Sequence, residues 1–339
     1  MPERPEISFV CSVKDGAKDL ERCAGSVLLQ SMENLELLLV DDHSSDETWA
    51  VMESLTRRDS RVRAIRNIGS AGLTYALNFG LDFARGDFVA RIDVDDFAHI
   101  ERAKTQVGLL NANPEAAMAV GAYRVTDEED WLLYSHCPPA HPVALKWTLC
   151  LRNPIRHSTA TWRRSIGIRY DPSFRYSQDY EMWCRMSRGG HIIVSPEVVA
   201  TIRQSKSSIT MTKYQEQEEA ADRVTSEEYR RYTGVPLDQI RAARLRLVHH
   251  MKCPQQFDSF GNMSSSELKL AMKDYIILAS GFAKKEHVGV ETMLDWTRAD
   301  IESILRMENK RNQVLEVIQS AVEEENQLAI ALVDSMVKK

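Results

Sequence analysis

The chain begins with an apolar run rich in β-formers, Ile7-Ser8-Phe9-Val10-Cys11-Ser12-Val13, that stops at the turn-prone Lys14-Asp15-Gly16. This pattern predicts a buried strand ending in a loop, with Asp15 at the strand's carboxyl end. From Ala17 to Gln30 the apolar positions Leu20, Cys23, Ala24, Val27 and Leu28 recur at helical spacing, and the run Glu36 to Val40 then leads to Asp41-Asp42. Strand, helix and strand in this order predict a parallel unit.

Ser44-Ser45-Asp46-Glu47-Thr48 supplies hydroxyls and acids suited to cap a helix through about Arg57, and Val62 to Ile65 reads as a third short strand. Gly69 and Gly72 precede a helical stretch from about Leu73 to Arg85. Gly86 ends it before a strand over Asp87 to Ile92, which delivers Asp93, Asp95 and Asp96 to its carboxyl end. Open α/β sheets bind ligands outside the carboxyl ends of their strands, so Asp15, Asp42 and the 93–96 cluster are expected at one site. A helix over about His99 to Asn111 and a strand around Met118 to Gly121 follow. The stretch 138–177, with several prolines and basic residues, reads as irregular, and such loops commonly shape acceptor pockets.

Beyond about Thr212 the composition shifts to Glu, Gln, Arg, Lys, Leu and Ala, and helical periodicity dominates. The expected organisation is an α/β domain at 1–212 and an α-helical region at 213–339. Asp238 to Lys252 is basic and amphipathic, which suits either a packed helix or a surface that meets anionic lipid or a partner. Leu294, Ile301, Ile304, Leu305, Val314, Leu315, Ile318 and Leu328 predict two further helices that pack on the first domain or on another subunit, so a homodimer is one expectation.

Composition narrows the class. The 339 residues, 43% hydrophobic and 27% charged, suffice for a sizeable core plus a second unit. A formal net charge of −6 argues against a chain built to neutralise nucleic-acid phosphates. No apolar run approaches the length of a bilayer span and the start lacks a signal-peptide segment, so the expected location is cytoplasmic, with contact at the inner face of the membrane as an extension. The six cysteines form no C-x-x-C pair and indicate neither a zinc site nor a disulfide framework.

The chemistry concentrates in Asp93-Val94-Asp95-Asp96. Acids spaced D-x-D at a strand end let one carboxylate meet a ribose hydroxyl while another binds a hard divalent cation, Mg²⁺ or Mn²⁺, whose shell a diphosphate completes. Breaking a sugar–phosphate bond leaves extra negative charge on a nucleoside diphosphate, and such a cation stabilises it. The plainer alternative is an acidic loop that caps the next helix; Asp42 and Asp15 likewise read as capping or turn residues from spacing alone.

The ordered passage from Gly72 to Asp96, with Gly72-Leu73-Thr74-Tyr75-Ala76-Leu77-Asn78 and Ala84-Arg85-Gly86-Asp87-Phe88-Val89-Ala90-Arg91-Ile92-Asp93-Val94-Asp95-Asp96, resembles family 2 glycosyltransferases of the GT-A fold. The resemblance extends over about residues 6–210. It includes Leu39-Val40-Asp41-Asp42-His43-Ser44, Asn153-Pro154-Ile155-Arg156-His157-Ser158 and the run Tyr170 to Glu181. It implies a Rossmann-like, mostly parallel central sheet flanked by helices, with the C-terminal helices as an extension. Carried over residue by residue, it implies a donor pocket of Val13, Lys14, Asp15, Asp42 and Thr74, with Asp93 on ribose, Asp95 on the metal and Asp96 in support.

Asp179, in Gln178-Asp179-Tyr180-Glu181, matches the family's catalytic base; a helix N-terminus there favours the ionised carboxylate a base requires. Capping is its plainer role, and Glu181 is the nearest competitor for the base. Trp183 and Trp162 suit sugar stacking in principle, but Trp183 shares helical spacing with Tyr180 and Met186 and reads as core. His157 suits acceptor contact or a structural hydrogen bond equally. One departure stands out: where family members often carry a histidine after the last strand, this chain has Ser205, within Ile202-Arg203-Gln204-Ser205-Lys206. Arg203 or Lys206 is expected to compensate at the diphosphate.

The function these readings imply is inverting transfer from a nucleoside-diphosphate sugar, uridine-linked by family habit, to a hydroxyl of a glycan or lipid-linked acceptor in polysaccharide or glycoconjugate synthesis. The competing readings are a non-catalytic nucleotide-sugar-binding or scaffold protein, and sugar-nucleotide synthesis. Lys14-Asp15-Gly16-Ala17 lacks the glycine-rich basic loop that the last requires.

Overall fold

The computed structural model describes residues 4–205, 213–250, 263–305, 310–324 and 326–337. Tertiary contacts divide the chain into two units, one of residues 1–149 and 153–217, the other of 150–152 and 218–339.

In the first unit the strands β1 (Ile7–Val13), β2 (Leu35–Asp41), β3 (Val62–Arg66) and β4 (Phe88–Arg91) pair in parallel in the order β3-β2-β1-β4. β1 and β2 are buried at every position, as expected of parallel strands covered on both faces. The helices α1 (Ala17–Leu28), α2 (Thr48–Arg58) and α3 (Leu73–Phe83) connect them. Leu20, Cys23, Ala24 and Val27 of α1 pack with Phe9, Leu37 and Leu39 in the core. Full burial of a side chain such as Phe9 or Leu37 is worth about 1.5–3 kcal/mol. On α3, a Cβ added at Gly80 would meet Val10 Cγ1 at 2.8 Å and Val40 Cγ2 at 3.0 Å, so only glycine lets this helix approach the sheet so closely.

Beyond β4 the sheet becomes mixed. β5 (Phe97–Ala98), α4 (Arg102–Ala112), β6 (Ala116–Thr126) and β7 (Leu132–His136) follow, then α5 (Pro142–Leu149), a 3₁₀ turn at His157–Thr159, β8 (Thr161–Arg163), α6 (Gln178–Gly189) and β9 (His191–Arg203). The order continues β4-β8-β6-β9-β5, with β7 on β6. β6 and β9 are parallel, whereas β8, β5 and β7 pair antiparallel to their neighbours. The stretch expected to be irregular therefore contains α5, which opens on Pro142 at a position where its missing N–H costs nothing, and the short β8, which joins the two halves of the sheet.

The second unit is helical: most of α7 (Tyr214–Thr233), then α8 (Gln239–His250), α9 (Ser265–Lys285), α10 (Val290–Leu305), α11 (Arg311–Glu323) and α12 (Gln327–Val337). The C-terminal apolar pattern forms three helices rather than two, and Leu294, Ile301, Ile304, Val314, Ile318 and Leu328 are buried within the unit. The basic face of α8 is used internally: Arg241 pairs with Asp274 at 2.6 Å, Arg246 with Asp222 at 2.6 Å, and Arg244 with Glu267. Lys252, at the end of the basic stretch, lies outside the described residues. Among the described residues no helix is long and apolar enough to cross a membrane.

Candidate active site

The parallel register sets Val13 against Asp41 and Val10 against Arg91, so β1, β2 and β4 end on one edge and their loops meet there. Asp42 follows β2 and is buried. Its Oδ1 accepts the Asn67 side-chain amide and its Oδ2 the Gly72 N–H, each at 2.9 Å, while its own N–H donates to Val13 O at 2.8 Å. Gly72 holds φ +127°, a conformation that disfavours any side chain, and this aims its N–H at the carboxylate. Asp15 lies exposed on the neighbouring loop; the amide and hydroxyl of Ser45, at 2.7 and 3.1 Å, hold its carboxyl below the usual range. Lys14 is exposed and Val13 buried. Asp42 is thus tied to the α3 N-terminus through Gly72, and the Val13-Lys14-Asp15 loop to Ser44 and Ser45, which follow Asp42 and lead into α2.

Asp93 leaves β4 beside Arg91, a fully buried arginine that donates to Val10 O at 3.2 Å and pairs with Asp93 Oδ1. Ser158 Oγ accepts the Asp93 N–H at 2.8 Å and lies 3.3 Å from its Oδ2. Burial raises the Asp93 carboxyl, but the Arg91 charge, with the Ser158 hydroxyl, outweighs it and holds the group below the usual carboxylate range. Asp95 differs: burial first, then the Asp93 charge, push it up to about 6. Asp96 is more deeply buried and pushed up further for the same reasons, and its Oδ1 accepts the Arg203 N–H at 3.0 Å. One loop therefore contains a paired acid, a strained acid and a structural acid.

Those donors are hard oxygens, and the repulsion that lifts Asp95 is the kind a divalent cation relieves. Among the described residues no group of three or more His, Cys, Asp or Glu converges on one point. The chemistry fits a cation held through Asp95, with diphosphate oxygens and water supplying the remaining ligands.

Asp179 sits in the first turn of α6, after Ser177 in a left-handed conformation at φ 53°. Its Oδ2 accepts the Asn153 side-chain amide at 2.9 Å. Burial pushes its carboxyl up to about 6; the Asp93 charge adds to this, while the Tyr180 amide, Asn153 and Arg156 oppose it. A carboxyl poised there is ionised near neutrality yet basic enough to take a proton. Asp179 and the acidic loop share one support, the segment 153–158: Asn153 bonds Asp179 and Ser158 bonds Asp93.

Other expected residues fall differently. Glu181 is buried and held bidentately by Arg185 at 2.5 and 2.7 Å, so its charge is neutralised within α6. The Thr74 hydroxyl, buried, donates to Phe174 O at 2.9 Å and so holds the loop before α6. Asn78 supports the same loop through two bonds to the Tyr170 backbone. His157 stands 2.7 Å from the Tyr170 hydroxyl with its ring edge-on to Tyr170 and Trp183; burial and the Arg91 charge push its pKa down to about 3, so it is neutral. Trp183 and Trp162 are buried against one another. Arg203 pairs with Asp19 at 3.0 Å, lies 3.9 Å from Asp130 and also donates to Glu128 O. Ser205 follows β9, and Lys206 lies outside the described residues.

Arg91, Ser158 and Asn153 carry roles that the pattern reading did not assign. Arg91 had a signal: a charge inside the otherwise apolar Phe88-Val89-Ala90-Arg91-Ile92 needs a partner, and strand periodicity puts Asp93 on its side.

Residues 8–170 match the model of the family described as Glycosyl transferase family 2. An uncharacterized glycosyltransferase of Haemophilus influenzae is 24% identical over 74% of this chain and 82% of its own length. The amylovoran biosynthesis glycosyltransferase AmsE of Erwinia amylovora is 25% identical over 56% and 72%. Among solved structures, S. aureus TarS 1-349 in complex with UDP-GlcNAc superposes with a TM-score of 0.57 at 13% identity, covering 94% of this chain and 92% of that one. The mixed sheet with its edge of acidic loops is the GT-A fold with a helical extension, and the chain is a glycosyltransferase whose residues 8–170 carry the family 2 domain.

Proposed function

We propose that this glycosyltransferase transfers a sugar, with inversion, from a nucleoside-diphosphate sugar to a hydroxyl of a glycan or lipid-linked acceptor. The observation that carries the reading is that one segment, 153–158, bonds two carboxylates: the Asn153 amide donates to Asp179 Oδ2 at 2.9 Å and Ser158 Oγ accepts the Asp93 N–H at 2.8 Å. Asp93, kept ionised by Arg91, suits a ribose hydroxyl, and Asp95 suits Mg²⁺ or Mn²⁺. The cation would supply charge stabilisation for the departing diphosphate. Val13, Lys14, Asp15 and Asp42 line the base end of the donor site. Asp42 keeps lone pairs for a nucleobase N–H beyond the two bonds it accepts.

Asp179 takes the proton of the attacking hydroxyl as its oxygen bonds the anomeric carbon and the sugar–phosphate bond breaks on the opposite side. The UDP-GlcNAc complex of TarS favours a uridine-linked donor, and the name of AmsE favours polysaccharide synthesis. The test is donor turnover across UDP- and GDP-sugars with Mg²⁺, Mn²⁺ or chelator. Metal-dependent consumption of one donor class is expected; donor binding without turnover under every condition would favour a non-catalytic binding protein.

A further inference from the structure

A pocket of about 410 Å³ lies on the sheet face that carries α1, lined among others by Arg22, Phe97, Arg124, Thr126, Asp130 and Thr201. The register explains its floor: Arg124 pairs with Thr201 and Thr201 with Phe97, while Thr126 pairs with Arg203 in the next row. Side chains alternate along a strand, so Arg124 and Thr126 face away from Tyr123, the ring that lies under Arg156 beside the candidate base. The pocket is therefore separate from the side of the sheet on which Asp179 works.

Its wall is unfinished. Arg22 lies over the Phe97 ring at 4.0 Å and pairs with Asp130 through Nη1 at 3.2 Å, but its buried Nη2 has no partner among the described residues. The same holds for Thr126 Oγ1, a side chain only 7% exposed. Buried polar atoms without partners are costly and uncommon, and two in the lining of one pocket call for a ligand. Arg22 Nη2 can only donate, so the missing group is an acceptor. Of the charged side chains that line the pocket, Arg22 and Arg124 are cationic and Asp130 anionic; Arg203 pairs with Asp19 and lies 3.9 Å from Asp130, Asp127 bonds its own turn, and Glu128 and Glu129 are exposed on it.

We propose that this pocket binds a phosphate group of a small molecule, free or as a phosphorylated sugar or polyol, at a site distinct from the donor diphosphate. Arg22 Nη2 and the Thr126 hydroxyl hold its oxygens, and Phe97 and Leu132 meet its apolar part. Arg203 N–H donates to Asp96, so the occupant rests against the strand next to the acidic loop.

The test is calorimetric titration of the full chain with inorganic phosphate and with glycerol 3-phosphate, with and without saturating UDP, in wild type, Arg22→Gln and Thr126→Val. Phosphate is expected to bind in the presence of UDP, and about tenfold more weakly in Arg22→Gln, as loss of a charge-assisted bond implies. Thr126→Val is the second, nearly isosteric probe, and thermal melting verifies that each variant is folded. Tighter binding of glycerol 3-phosphate assigns the site to a phosphorylated polyol or sugar; equal binding assigns it to free phosphate. Absence of phosphate binding, binding abolished by UDP, or affinity unchanged in both folded variants would overturn the proposal.

Discussion

The side-chain amide of Asn153 donates to Asp179 Oδ2 at 2.9 Å, joining two residues that are 26 apart in sequence. Asn153 is fixed in turn by its own Oδ1, which accepts the Ile155 N–H at 3.0 Å. The amide favours the ionised carboxylate while burial disfavours it, and the balance leaves Asp179 at about 6. Activity limited by this base rises with pH through about 6 and levels off above it. In Asn153→Ala the stabilising bond is gone and the acid limb of the kcat/KM profile moves to higher pH, with donor affinity unchanged. A limb that stays in place would separate Asn153 from the base.

The same carboxyl links catalysis to stability. Its folded pKa is raised from 3.8 to about 6, so the folded chain holds this proton more tightly than the unfolded chain. The stability this gives is complete below pH 3.8 and is lost as pH rises through about 6, above which the ionised, partly buried carboxylate costs roughly 1–3 kcal/mol. Asp179→Asn is therefore expected to melt higher than wild type at pH 8 and to match it below pH 4. Melting curves across that range check the sign, and an equal difference at both ends would refute the linkage.

Much of this was legible in the chain. β1, β2 and α1 announce themselves because both faces of the strands and one face of the helix are buried, and burial writes a periodic apolar pattern. β5 and β8 leave no such pattern: at two and three residues they are shorter than any periodicity. β9 is long but interrupted by Ser195-Pro196-Glu197, beside a register shift against β6, and so reads as broken. Within the site, the acids were found by spacing and resemblance. Their partners were not: Ser158 meets Asp93 across 65 residues, a relation set by tertiary packing alone.

Thr74 separates a resemblance from a contact. Its hydroxyl donates to Phe174 O, 100 residues away, so Thr74→Val is expected to cost about 1–2 kcal/mol of stability by leaving that carbonyl unmet. Donor affinity is expected to stay the same. Calorimetry with UDP alongside denaturant unfolding distinguishes the two, and weakened UDP binding at unchanged stability would return Thr74 to the donor site.

Glu181 lies two residues from Asp179 and is the natural rival for the base, yet both of its oxygens are occupied by Arg185. Glu181→Gln is expected to lose stability through the broken pair while retaining kcat within a few-fold. A collapse of kcat with the fold intact would shift the base to Glu181.

The central claim is that Asp179 removes the acceptor proton while the acidic loop holds the donor. It is tested most directly by measuring donor binding and sugar transfer side by side in wild type and Asp179→Asn, once a donor is known. The account predicts unchanged donor affinity with kcat lowered by roughly 10²–10⁴, the usual contribution of a general base. Transfer at the wild-type rate in the folded variant would contradict it.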